Sequence, residues 1–263
     1  MSETVGGRPV QLERVERAVS MLAALATVAG MIATPLAPQR GLARRVLSTV
    51  VVTGLFASTA VAATRRWGLG RAGLAAGTTV AATAAIERIG TDTGLPFGRY
   101  RYTGALRPEV AGVPAIVPLA WFAMAVPARE TAHAALGRHS SRVTRAIAGS
   151  AALTAWDLFL DPQMVGEGYW RWKRTGVYRG IPMSNFLGWF VTGIGIIALL
   201  DSLLPAADEP AEADGALVGQ YAYMGVMETL GFARFFHDPL IAAVGGSTML
   251  PIAAAAIAVK LRG

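Results

Sequence analysis

The sequence lacks cysteine altogether, holds only three histidines and is poor in charge. Charged residues make up 16% of its 263 residues, against roughly 25% in an ordinary soluble domain. The absence of cysteine excludes disulfides, zinc–thiolate sites and cysteine-bound iron–sulfur clusters. His133, His139 and His237 are too few for a membrane di-iron oxygenase or for a cytochrome with two bis-histidine haems. We therefore expect chemistry that works without a redox metal.

The residues in excess are apolar, at 53% of the chain. They are grouped in runs of about 20 residues, the length that crosses a bilayer as a helix. These runs predict an all-α protein, a polytopic transmembrane helix bundle of about eight spans (seven to eight) that forms a single integral-membrane domain over residues 1–263. The candidate spans lie at 18–38, 46–64, 70–87, 110–128, 144–161, 184–204, 217–236 and 239–259.

The net charge of +7, from 22 Arg and 2 Lys against 17 acids, lies almost wholly between the spans. Cations at such positions meet lipid phosphates, so we expect the lipid bilayer as a partner and no nucleic acid. Counting spans places the motif-bearing loops 88–109 and 162–183 on one membrane face, together with the turn at 237–238. The acidic loop 205–216 then lies on the other face.

A glycine motif, Gly68-x-Gly70-x-x-Gly73, matches the dinucleotide-binding fingerprint. That fingerprint needs a preceding strand within a βαβ unit, whereas this stretch lies between two apolar spans. We interpret it as a tight turn between membrane helices.

Three carboxylates stand out because they lie at span ends on the face that carries both long loops. Asp157 and Asp161 are four residues apart and share one face of a helix, which Pro162 is predicted to end at the membrane surface. Glu87 ends another span on the same side. An acid near the lipid boundary usually faces a cavity or a partner. The alternatives are a solvated helix end for the aspartates, and a structural ion pair between Arg88 and one of the three acids.

Two further features have structural alternatives. Glu228 falls in the middle of the seventh span, where it is either a polar lock between helices or a partner of the site. The aromatic residues of the second loop form either an interfacial belt or a wall for a long apolar ligand. Four of the six tryptophans lie between 156 and 189.

The residues from about 87 to 190 form a long, ordered series of motifs. It comprises Glu87-x-x-Gly90-x-x-Thr93-Gly94-x-Pro96-Phe97-Gly98-x-Tyr100-x-Tyr102, Pro118-Leu-Ala-Trp121, Trp156-Asp157-x-x-x-Asp161-Pro162-x-Met164, Gly168-x-Trp170-x-Trp172, Gly176-x-Tyr178-x-Gly180-x-Pro182 and Asn185-Phe186-x-Gly188-Trp189. The series resembles the membrane carotenoid hydratases, the family that contains the bisanhydrobacterioruberin hydratases of haloarchaea and the bacterial carotenoid 1,2-hydratases. The flanking helices match in character only.

The resemblance implies addition of water across the terminal isopropylidene double bond of an acyclic carotenoid, giving a tertiary alcohol. Protonating the alkene is the difficult step, and it needs an acid kept protonated by an apolar site, aromatic faces that tolerate a cation, and a group that orients water. We expect either Asp157 or Asp161 to donate the proton and Glu87 to orient the water, or the reverse. The substrate-binding candidates are Trp156, Trp170, Trp172, Tyr178, Tyr100, Tyr102, Asn185 and Trp189.

The same resemblance implies that no metal, nicotinamide or flavin cofactor is needed. The expected partners are a long apolar carotenoid, water and other membrane enzymes of the carotenoid pathway. The expected location is the cell membrane of a prokaryote.

Two other functions fit part of the pattern. Asp157-x-x-x-Asp161 resembles the second aspartate motif of membrane prenyltransferases, which holds a magnesium-bound prenyl pyrophosphate, but Leu153 stands where the full motif has asparagine. A non-catalytic carotenoid-binding or transport protein would use the aromatic residues for the polyene and the acids only to hold the loops.

Overall fold

Eight long helices account for most of the part of the chain that the computed structural model describes, residues 4–5 and 8–262. The helices are α1 (Val10–Ala33), α2 (Leu42–Trp67), α3 (Leu69–Thr93), α4 (Ile116–Leu136), α5 (Arg142–Gly166), α6 (Met183–Leu203), α7 (Gly215–Arg234) and α8 (Pro239–Arg262). Short strands form three antiparallel pairs, β1 (Thr4–Val5) with β2 (Arg8–Pro9), β3 (Tyr100–Tyr102) with β6 (Trp170–Trp172), and β4 (Glu109–Val110) with β5 (Val113–Pro114). The predicted all-α bundle is confirmed.

Each predicted span overlaps one helix, although only four of the described helices, α1, α2, α6 and α8, are long and apolar enough to cross a membrane by length and composition alone. The fourth predicted span begins too early, because residues 109–114 form the hairpin of β4 and β5 before α4 starts at Ile116. Of the glycine motif only Gly68 forms the predicted tight turn, since Gly70 and Gly73 lie within α3. Gly68, with φ of +83°, ends α2 and begins α3, a backbone conformation that glycine adopts without steric cost.

Helix α4 forms the centre of the bundle. Every residue from Trp121 to Ala134 is buried. The part from Trp121 to Ala128 is apolar on all its faces, as expected of a helix at the centre of a bundle, whereas Arg129, Glu130 and His133 are buried polar residues. Helices α2, α3, α5, α7 and α8 pack around it. Many of its core positions are alanine, so the neighbouring helices approach closely.

A buried ion-pair cluster holds α4, α5 and α6 together at the end of the bundle that carries the acidic loop. Arg129 is fully buried and donates to Asp201 at 2.5 Å, to Glu130 at 2.6 Å and to the Leu204 carbonyl at 2.5 Å. Arg145 reaches the other oxygen of Asp201 at 2.9 Å. The cluster gives each buried charge an opposite charge, which a low-dielectric interior requires.

Replacing Arg129 with methionine is expected to lower the free energy of unfolding by about 3–5 kcal/mol, because it leaves Asp201 and Glu130 short of their shared cation. Thermal unfolding in detergent measures the change. The control is Arg138→Met, since Arg138 is exposed near the same end. Equal unfolding temperatures for the two variants would contradict this role for Arg129.

The two motif-bearing loops meet at the opposite end of the bundle. Strand β3 belongs to the first loop and pairs with β6 of the second. Arg179 of the second loop also forms an ion pair at 2.6 Å with Asp238 in the turn between α7 and α8. This end of the bundle carries the candidate site.

Candidate active site

The motifs Tyr-x-Tyr and Trp-x-Trp form a two-stranded ribbon over the end of the bundle. The register pairs Tyr100 with Trp172, Arg101 with Arg171 and Tyr102 with Trp170. Because side chains alternate along a strand, the four aromatic rings turn toward the bundle and the two arginines are exposed. Tyr102 and Trp170 contact edge to face at 5.9 Å, and Tyr100 and Trp172 lie 5.1 Å apart.

Beneath this ribbon lies a small cavity of about 50 Å³, which we call the chamber. Its polar walls are the side chains of Glu87 from α3, Asp161 from α5 and Asn185 from α6. Its aromatic walls are Tyr100, Tyr102, Trp121, Trp170, Trp172 and Trp189. Aliphatic side chains from α2, α4, α5 and the first loop close the rest, so two acids and one amide face a space that is otherwise mostly apolar.

Glu87 is held in one orientation by three donors. Its Oε2 accepts hydrogen bonds from the hydroxyls of Tyr100 and Tyr102, the latter at 2.7 Å, and its Oε1 accepts one from Trp121 Nε1 at 3.1 Å. The residue is only 5% exposed. A carboxylate that accepts from three donors is fixed in place and suited to act as an acceptor toward a fourth group.

The neighbours of Glu87 are phenols that keep their protons. Burial raises the pKa of Tyr100 and of Tyr102 well above the usual value for a tyrosine. The negative charge of Glu87 is the second cause of this increase. They therefore remain hydrogen-bond donors throughout the physiological pH range. The alternative that Arg88 pairs with one of the three site acids is wrong, because Arg88 pairs with Asp92 at 3.1 Å on the surface.

Asp157 and Asp161 are bridged by one amide. Asn185 Nδ2 donates to an oxygen of Asp157 at 2.7 Å and to an oxygen of Asp161 at 2.9 Å. The other oxygen of Asp161 accepts from Trp170 Nε1, whereas Asp157 Oδ1 is buried without a hydrogen-bond partner. Asp161 lines the chamber and Asp157 lies one helical turn away, outside the lining. The two acids share a helix face, as their spacing predicts.

The prediction that Pro162 ends this helix is wrong, since α5 continues to Gly166. Proline lacks the N–H that would bond to the carbonyl of Leu158 four residues earlier. The hydroxyl of Tyr178 donates to that carbonyl at 2.9 Å and replaces the missing bond. The sequence could not show this, because the compensating group comes from the following loop.

Replacing Tyr178 with phenylalanine is expected to destabilise the protein by about 1 kcal/mol, because it leaves the Leu158 carbonyl without a partner. Thermal unfolding is the measurement. Tyr223→Phe is the matched control, because the Tyr223 hydroxyl is buried without a hydrogen-bond partner, and its removal should cost no stability. A larger loss of stability in Tyr223→Phe than in Tyr178→Phe would contradict a stabilising role for the hydrogen bond from Tyr178 to the Leu158 carbonyl.

The chamber brings together eight of the eleven side chains predicted for the site. Asp157, Trp156 and Tyr178 lie outside its lining. Trp156 contacts Trp189 edge to face at 6.2 Å and borders a neighbouring cavity instead. Trp121 was not predicted as a site residue, although it lies within the quoted motif Pro118-Leu-Ala-Trp121. Its Nε1 donates a hydrogen bond to Glu87, and its ring stacks on that of Trp189 with 3.9 Å between the ring centroids.

Gly188 explains how the first loop comes this close to α6. A Cβ at this position would lie 2.8 Å from the backbone carbonyl of Pro96 and 2.8 Å from the Phe97 ring, closer than real Cβ atoms approach. With glycine there, Phe97 packs in the core against Trp121 and Tyr100. This packing supports the wall that carries the donors to Glu87.

Comparison with known proteins identifies the family to which this chain belongs. A family model described as carotenoid biosynthesis protein matches residues 45–259. A bisanhydrobacterioruberin hydratase from Haloarcula japonica is 33% identical over 133 residues, which is 50% of this chain and 45% of that protein. The matched part thus spans about half the length of that relative. No solved structure matches this chain. Since the family model covers most of the sequence, the chain belongs to the carotenoid biosynthesis protein family.

Proposed function

We propose that this protein is a hydratase that adds water across the terminal isopropylidene double bond of an acyclic carotenoid. One observation carries the proposal: the carboxyl groups of Asp161 and Glu87 both line a chamber whose other walls are almost wholly aromatic or aliphatic. Alkene hydration needs an acid and a base on one apolar site. The family and the name of the relative point independently to carotenoid chemistry.

The proton donor in this proposal is Asp161. Asp157 and Asp161 are bridged by one amide inside the protein, and two carboxylates this close repel each other when both are ionised. The pair therefore holds one proton between them. Asp161 presents that proton to the chamber, and Asp157 is a positioning residue that shares it.

The first step transfers this proton to the less substituted carbon of the terminal double bond. The alkene π electrons form the new C–H bond, and a tertiary carbocation is left on the neighbouring carbon. Asp161 becomes a carboxylate that accepts hydrogen bonds from Trp170 and Asn185. The aromatic faces of the chamber stabilise the cation through their negative quadrupoles.

The second step adds water. Glu87, held by its three donors, accepts one proton of the water while the water oxygen forms a bond to the cationic carbon. The product is a tertiary alcohol, with one proton gained by Glu87 and one lost from the aspartate pair. Return of that proton to the pair through water in the chamber completes the cycle, so the net change is the addition of one water.

Expression in a carotenoid-producing host, followed by mass spectrometry of the pigments, tests this function. We expect an acyclic carotenoid to gain the mass of one water for each end that reacts, in the presence of EDTA as well as without it. Coloured protein with an unchanged polyene would instead support a binding or transport protein. Turnover of a prenyl pyrophosphate that EDTA abolishes would support the prenyltransferase alternative.

The location and partners follow from the same proposal. Several helices are apolar enough to span a membrane, and the substrate itself is soluble only in lipid. We place the protein in the cell membrane of a prokaryote, next to other membrane enzymes of carotenoid synthesis that supply its substrate.

A further inference from the structure

The outer face of the two-stranded ribbon carries two arginines, one on each strand. Arg101 and Arg171 lie directly opposite each other in the register of β3 and β6, and both are exposed. The Cβ atoms of such a pair are roughly 5 Å apart, and like charges at that separation destabilise a sheet. Neither arginine forms an ion pair with any residue that the structure describes. An anion bound beside this pair would therefore stabilise the ribbon.

A polar pocket of about 350 Å³ opens beside Arg171, and we call it the arginine pocket. Two further arginines line it, Arg45 from the first turn of α2 and Arg40 from the turn before that helix. Residues that follow β3 and the stretch before β6 form the rest of the wall. The volume is within the range of sites that bind small molecules.

Glu167 is the acid in the lining of the arginine pocket, and its charge is already paired. One oxygen accepts from the guanidinium of Arg44 in a buried ion pair, and the other accepts from the backbone N–H of Arg40 at 2.8 Å. Within the described part of the chain, Arg40 and Arg45 form no ion pair, and Arg45 Nε is buried without a hydrogen-bond partner. The positive charges of the three lining arginines are therefore not compensated by the acid.

A phosphate group matches this set of donors. Guanidinium groups bind phosphate through paired N–H···O hydrogen bonds, which are stronger than bonds between neutral groups. The arginine pocket also lies near the lipid boundary, since Leu42 and Val46 in the first turns of α2 are more than half exposed. A phosphate group at this position can come from the head group of a lipid or from solution.

We propose that the arginine pocket binds a phosphate group, and that the bound phosphate stabilises the ribbon by offsetting the repulsion between Arg101 and Arg171. The opposite face of the same ribbon carries the four aromatic rings that wall the chamber. The anion thus orders the wall of the chamber without contacting its contents. This inference goes beyond the proposed function, because it holds for any reaction in the chamber.

Hydrogen exchange of the ribbon amides, measured by mass spectrometry on the full chain in a maltoside detergent, tests the proposal. At equal ionic strength, the protein receives no addition, phosphatidylglycerol, a diacylglycerol with the same acyl chains, or inorganic phosphate. We expect slower exchange at residues 100–102 and 170–172 with phosphatidylglycerol and no change with the diacylglycerol. Protection by phosphatidylglycerol alone identifies a lipid head group as the ligand, and protection by inorganic phosphate identifies phosphate from solution. Protection by neither source, or equal protection by the diacylglycerol, would overturn the proposal.

Three variants separate the arginine pocket from general surface charge. Arg171→Gln should raise the phosphate concentration needed for protection roughly ten-fold, the effect of losing one hydrogen bond between charged groups. Arg174→Gln is the matched control, because Arg174 is exposed in the same loop outside the lining. Arg101→Glu places an acid opposite Arg171, so its ribbon should be protected without phosphate. Equal effects of Arg171→Gln and Arg174→Gln, or a ribbon in Arg101→Glu that still requires phosphate, would contradict the proposal.

Discussion

Replacing Asp161 with asparagine is expected to lower kcat for hydration by about 10²–10⁴-fold, the usual contribution of a general acid. Asparagine has nearly the same shape as aspartate but carries no acidic proton, so protonation of the alkene should fail while the substrate still binds. Turnover by the purified protein and fluorescence quenching by the carotenoid measure the two effects separately. We expect KM and quenching to change little.

Asp157→Asn is the comparison for this prediction, because Asp157 shares Asn185 with Asp161 but does not line the chamber. Its effect on kcat should be clearly smaller. A larger loss in Asp157→Asn than in Asp161→Asn would reverse the assignment of the donor. Wild-type rates in both variants would show that the aspartate pair has no part in the chemistry.

The second large effect is expected for Glu87→Gln, with kcat again lowered by about 10²–10⁴-fold. The amide keeps the size of the side chain but cannot take a proton from water. The carbocation would then lose a proton from a neighbouring carbon more often than it captures water. We therefore expect an increased share of carotenoid with a shifted terminal double bond, which chromatography with mass spectrometry detects as a product of unchanged mass.

The matched control is Asp92→Asn. Asp92 lies near the end of the same helix, and its ion pair with Arg88 is about half exposed. Such surface pairs contribute little to stability, so rate and product distribution should remain those of the unaltered protein. Isomerised product from the control, or fully hydrated product from Glu87→Gln at an undiminished rate, would contradict the role of Glu87.

Local sequence patterns were sufficient to predict the helices and the common helix face of the two aspartates. Runs of apolar residues predict the helices, since a membrane span needs a certain length of them. The spacing of Asp157 and Asp161 predicts their common helix face. What joins the two loops is the pairing of Tyr100–Tyr102 with Trp170–Trp172. Both motifs belong to the family resemblance, but the register in which the two strands pair depends on contacts between segments that are distant in the sequence.

The features that were missed depend on partners far away in the sequence. The sequence predicts that the helix ends at Pro162. The helix continues instead, because the Tyr178 hydroxyl donates a hydrogen bond to the Leu158 carbonyl. In membrane helices proline is tolerated where neighbouring groups replace the lost bond in this way. Trp121 reads as a core residue of an apolar helix, and only the fold places its indole N–H against Glu87. Because a buried tryptophan is expected in an apolar helix in any case, the hydrophobic pattern alone could not reveal the hydrogen bond from Trp121 to Glu87.

The most direct test of water addition in the chamber uses water labelled with a heavy oxygen isotope. The purified protein is incubated in labelled water with an acyclic carotenoid, and the product is analysed by mass spectrometry beside the Asp161→Asn variant. We expect one labelled oxygen in the tertiary alcohol for each end that reacts, and almost none with the variant. A polyene of unchanged mass, or an alcohol whose oxygen comes from molecular oxygen instead of water, would contradict the proposal.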